Sequence, residues 1–115
     1  MFYAIRILFA VSPLVLCACG SPRRSEPLVG APQLASVEER HGEVLFFRFC
    51  HQCHPGGEAG LGPAINNKPA PMPLVRLQVR KGLGAMPAFP DAIIPERDLD
   101  ALLAYFDRLR EHPEN

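Results

Sequence analysis

The chain has 115 residues, with 12 Lys and Arg against 12 Asp and Glu; the formal charge is zero, and the basic excess of a phosphate-backbone binder is missing, which excludes nucleic acid as a partner. Its 13 prolines and 9 glycines work against long helices and broad sheets and leave room for one small domain of short elements joined by shaped loops. A core this small calls for a further component, and the 4 cysteines and 4 histidines are the side chains able to hold one.

Met1 to Gly20 read MFYAIRILFAVSPLVLCACG: a single Arg6, an apolar run from Ile7 to Leu16 broken by Ser12 and Pro13, then small residues. This is the layout of a secretory signal over residues 1–19, and its apolar run is shorter than the roughly 20 residues of a membrane-spanning helix. Within it, Leu16-Cys17-Ala18-Cys19 resembles the lipobox of bacterial lipoproteins, which implies cleavage before Cys19 and lipid on that residue. Ordinary cleavage and an uncleaved anchor are the alternatives, and every one of the three sends the chain out of the cytoplasm. The expected location is the periplasm, with the membrane reached through the lipid anchor. Residues 20–35, spaced by Pro22, Pro27 and Pro32 without periodicity, read as a linker, and residues 36–111 as the folding unit.

That unit opens on a helix. Ser36 suits an N-cap, Glu39 stands where a capping box needs an acid, and apolar residues gather from Val44 to Phe49. Gly42, Phe46 and Cys50 follow at intervals of four and share one face.

The helix runs into Cys50-His51-Gln52-Cys53-His54, a C-x-x-C-H, the attachment signature of c-type haem. Two thiols separated by two residues in a turn can each add across one vinyl group of the same porphyrin edge, and the imidazole of the next residue then lies under the iron. A thioredoxin-like redox pair, a zinc site and a structural disulfide share parts of the motif. The first wants a βαβ context, the second wants a further ligand pair, and the third remains open in an oxidising compartment. His41 and His112 read as solvated.

Between Pro71 and Pro90, Pro73 at a first helical position and Gly82 past an end frame a short helix, followed by a rigid, irregular stretch. After Pro95, Leu99, Leu102, Leu103, Phe106 and Leu109 recur at three and four, which predicts an amphipathic helix over Glu96 to Arg110.

These residues resemble class I cytochrome c, in which a Gly-x-x-x-aromatic face of the first helix crosses a Leu-x-x-Tyr face of the last; here the residues would be Gly42, Phe46, Leu102 and Tyr105. The V-R-x-G-x-G-x-M-P-x-F pattern from Val79 to Phe89 is similar to the ligand loop of bacterial members. The resemblance implies an all-α, cytochrome c-like fold of three to four short helices around one covalent haem c on Cys50 and Cys53, with His54 and Met86 as axial iron ligands. Met72, which also precedes a proline and is far enough from His54 to reach the other haem face, is the competing ligand. The resemblance further implies that a proline carbonyl, here that of Pro63 after the glycine-rich loop, accepts the proton of the proximal imidazole.

The expected function is one-electron transfer in an extracytoplasmic electron transport chain, with redox proteins as partners and no catalytic residues of its own. The alternative is a haem c subunit of a membrane-associated dehydrogenase or oxidase. A sensor or peroxidase would need a vacant sixth position, which Met86 speaks against. From Ala59 to Pro90 there is no acid, while Lys68, Arg76, Arg80 and Lys81 supply four positive charges. They are expected to ring the haem pocket, one or two pairing with the haem propionates and the rest steering an acidic partner.

Overall fold

A computed structural model describes residues 30–66 and 70–111. The expected signal over 1–19, Cys19, most of the linker, Lys68 and His112 lie outside them. The described residues are all-helical: α1 spans Val37–Phe49, α2 Met72–Lys81 and α3 Glu96–Glu111, with a single 3-10 turn at Pro55–Gly57. No helix among them is long and apolar enough to cross a membrane.

α1 begins where its cap chemistry dictates. Ser36 Oγ accepts the Glu39 N–H at 3.0 Å, and Glu39 Oε2 accepts the N–H groups of Ser36 at 3.0 Å and Ala35 at 2.5 Å, so three backbone donors at the helix start are satisfied. The other Glu39 oxygen accepts Arg108 Nε at 2.8 Å, which ties the start of α1 to the last turns of α3. His41 lies on another side of α1, and its Nε2 is 2.9 Å from Asp98 Oδ1. Two residues only two apart on α1 therefore reach positions ten apart on α3, about 15 Å along its axis, so the helices cross steeply instead of running side by side. His41, read from sequence as solvated, is half-exposed but bridges the two helices.

At the crossing Gly42 lies against the Ala101 backbone, and Phe46, fully buried, packs on Tyr105 at 5.3 Å and edge-on to Phe106 at 5.9 Å. Such ring pairs contribute about 0.5–1.5 kcal/mol each beyond the burial of their area. Leu99, Leu102 and Leu109 of α3 are buried in the same core, together with Leu45 of α1 and Ile94. α2 begins one residue earlier than its sequence signals suggest, with Pro71 as N-cap and Pro73 in the second position, and it ends at Gly82, whose N–H closes on Gln78 O at 2.8 Å.

Candidate functional site

The C-x-x-C-H segment is wound tightly off the end of α1. Cys50 N–H and His51 N–H both donate to Phe46 O, at 2.8 and 3.0 Å, and Cys53 N–H and His54 N–H both donate to Cys50 O, at 3.1 and 2.9 Å. Cys50 is buried and its burial pushes the thiol up to about 12; Cys53 is partly buried, and both thiols are free. His51 turns away from this group: its Nδ1 accepts the Gly56 N–H at 3.0 Å and its ring stacks on Phe47 at 4.8 Å.

The loop after the motif folds back beneath His54. Gly62 N–H donates to Cys53 O at 2.9 Å, and the N–H groups of Ile65 and Asn66 both donate to Gly57 O, at 2.8 and 3.1 Å. This places the Pro63 carbonyl 2.8 Å from His54 Nδ1. A carbonyl can only accept, so the proton sits on Nδ1 and the lone pair of Nε2 is left as a donor to a metal. The imidazole lies so close over Gly62 that a Cβ there would fall 2.2 Å from the ring Cε1, which leaves glycine as the residue that fits.

His54 lines an apolar cavity of about 240 Å³ between the motif, α2 and α3. Cys50 and Pro63 share its wall with His54; Met72, Val75, Gln78 and Val79 come from α2, Met86 and Phe89 from the loop that follows, and Phe106 and Arg110 from α3. The structure thus brings five sequence-chosen residues, Cys50, His54, Pro63, Met72 and Met86, to one cavity, with Cys53 on the adjoining turn off its wall. Met86 is presented by a tight turn in which Leu83 and Met86 exchange two backbone hydrogen bonds of 3.1 and 3.0 Å.

Gln78 is a site residue that the sequence reading missed. Its Nε2 lies 3.8 Å from Met86 Sδ, within reach of a donor to sulfur. The signal was its place on the helix that leads into the Met86 loop, but a lone glutamine on a short polar helix face carries no signature of its own.

The donor set fits a c-type haem: an imidazole with Nδ1 engaged and Nε2 open, a thioether on the same cavity, two free thiols two residues apart, and walls of mostly apolar side chains. Among the described residues no group of three or more His, Cys, Asp or Glu gathers as a zinc site requires.

The charge expectation needs correction. Arg76 pairs with Glu96 at 2.6 Å and with Asp100, and Arg80 pairs with Glu96 and lies 3.7 Å from Asp91. Acids at and before the start of α3 fold onto α2 and neutralise both arginines, so neither stands ready for a propionate or an acidic partner. Lys81 alone of the described cations in this stretch has no carboxylate partner among the described residues.

Residues 37–106 match a family model described as cytochrome c oxidase, cbb3-type, subunit III. The chain is also similar to the 4-cresol dehydrogenase (hydroxylating) cytochrome c subunit of Pseudomonas putida, at 32% identity over 83 residues that cover 71% of this chain and 73% of that protein. No solved structure matches it. With this match across the helices and the cavity they enclose, the chain belongs to the cytochrome c family of cbb3-type oxidase subunit III, whose cofactor is covalently bound haem c.

Proposed function

We propose that the chain is a monohaem, class I one-electron carrier with haem c attached through Cys50 and Cys53 and ligated by His54 and Met86. The observation that carries this reading is the hydrogen bond from His54 Nδ1 to Pro63 O at 2.8 Å beside a cavity that Met86 also lines. The bound group supplies an iron that cycles between ferrous and ferric. The protein's part is to hold its ligands still. Pro63 fixes the tautomer and aim of His54 and strengthens it as a donor. Pro87 restricts Met86 to extended backbone, and the apolar walls keep water from the site. Met86 is favoured over Met72 because Met72 stands in the first turn of α2, whereas Met86 stands at a loop turn with Gln78 against its sulfur.

A dehydrogenase subunit is the more specific reading, favoured by the likeness to the cytochrome subunit of 4-cresol dehydrogenase. There the head would pass electrons from one fixed dehydrogenase neighbour and not shuttle freely. Residues 1–19 would export the chain to the periplasm, and Cys19 with the linker 20–35 would tether the head to a membrane.

The test is expression in a bacterium with haem-maturation machinery. Denatured protein should keep its colour and carry the mass of one haem, and Met86→Ala should abolish the weak far-red sulfur-to-iron band while Met72→Ala keeps it. A chain exported without haem mass overturns the assignment of Cys50 and Cys53; loss of the band in Met72→Ala alone overturns that of Met86.

A further inference from the structure

The loop from Gly82 to Pro90, GLGAMPAFP, contains no side chain that can make a conventional hydrogen bond, so whatever fixes Met86 must come from backbone pairing or from outside. At its entry the Leu83–Met86 pair supplies the first. At its exit the tie comes from Arg80, whose Nη1 donates to the carbonyl of Phe89 at 3.0 Å and to that of Ile94 at 2.6 Å while Nη2 pairs with Glu96.

The Arg80 side chain is 18% exposed, so its bonds to the two carbonyls face little competition from water. A planar fork of five donors lets one side chain hold two carbonyls and a carboxylate together, a geometry that the single ammonium of lysine does not reproduce. Phe89 is consequently held on both sides of its backbone: its N–H donates to Val79 O at 2.9 Å and its carbonyl takes Arg80, while its ring packs on Phe49 at 5.9 Å. Pro87 and Ala88 alone separate this clamp from Met86.

We propose that Arg80 is the positioning residue for Met86, clamping the exit of the loop so that the thioether stays at the haem cavity. The proposal rests on the assignment of Met86 as axial ligand. Arg80 touches no reacting atom and acts through Phe89 and Ile94.

Arg76 provides the control, because it pairs with the same helix through Glu96 and Asp100 and holds no loop carbonyl. The experiment compares haem-loaded Arg80→Gln, Arg80→Lys, Arg76→Gln and Met86→Ala with wild type. It reads the far-red band of the ferric protein and the rate at which the ferrous protein binds carbon monoxide, which is limited by opening of the iron–sulfur bond. Arg80→Gln should bind carbon monoxide about tenfold faster or more, the effect of losing charge-assisted bonds to the loop. Arg80→Lys should fall between it and wild type, and Arg76→Gln should match wild type. Should Arg80→Gln fail to fold, Arg80→Lys decides on the same rate. Wild-type rates in the Arg80 variants, or equal acceleration by Arg76→Gln, overturn the proposal while Met86→Ala loses the band; a Met86→Ala protein that keeps the band overturns the ligand assignment and the proposal with it.

Discussion

A Cβ placed on Gly42 would lie 2.0 Å from the carbonyl oxygen of Ala101 and 2.9 Å from Tyr105 Cβ. Neither the α3 backbone nor the base of a buried tyrosine can swing aside, so any side chain here must push α1 off α3. Gly42→Ala should destabilise the haem-loaded protein by about 3 kcal/mol or more, despite the gain in helix propensity that alanine brings at an open site. Chemical denaturation followed by circular dichroism measures it, and a variant within about 0.5 kcal/mol of wild type would show that the crossing does not hold this close contact.

Gly62→Ala should act on the metal site through His54. The added methyl meets the imidazole, the ring tilts, and the 2.8 Å bond to Pro63 O lengthens. A proximal histidine without that acceptor is a weaker donor, and it stabilises ferric iron less. The midpoint potential should rise, and the imidazole N–H resonance should exchange with solvent faster than in wild type.

Gln78→Leu is expected to move the potential the other way. An N–H directed at Met86 Sδ draws density from the sulfur and so disfavours the ferric state; leucine removes that pull. A fall on the order of 40 mV, equivalent to about 1 kcal/mol for one electron, is the expected size. Potentiometry with the far-red band intact checks it, since loss of the band would mean a lost ligand instead.

Acid should loosen both ends of α3. The Arg108 guanidinium holds Glu39 below its ordinary 4.5, helped by the Ser36 N–H, and Arg80 does the same for Glu96. A carboxylate whose pKa is lower folded than unfolded contributes stability that is present above about pH 4.5 and is lost as pH falls through the folded value. Denaturation midpoints should therefore drop below pH 4.5, and Glu39→Gln should start lower and drop less steeply. Parallel curves for the two proteins would remove Glu39 from the acid transition.

Partner docking should depend on salt more weakly than four free cations would require. With Arg76 and Arg80 neutralised by α3, the four are reduced to Lys81 and to Lys68, which lies outside the described residues, and reduction by an acidic partner should slow only modestly with ionic strength. Stopped-flow rates over a salt series measure it, and a steep decline would mean that these ion pairs open on docking.

Much of this molecule is decided locally and can be read along the chain. The capping box of Ser36 and Glu39 spans four residues, the C-x-x-C-H spans five, and the apolar spacing of Leu99 to Leu109 follows from the helical period alone. Each depends on residues near one another in sequence, and so the helices, the thiols, His54 and the two candidate methionines were all legible. What the chain order hid is pairing over distance. Arg76 and Arg80 stand in a stretch without acids, and only the packing of α2 on α3 shows that Glu96 and Asp100 consume them, because an ion pair depends on separation in space. The clamp of Arg80 on two carbonyls escaped the sequence for a related reason: every residue has a carbonyl, and which ones a guanidinium meets is settled by tertiary contact.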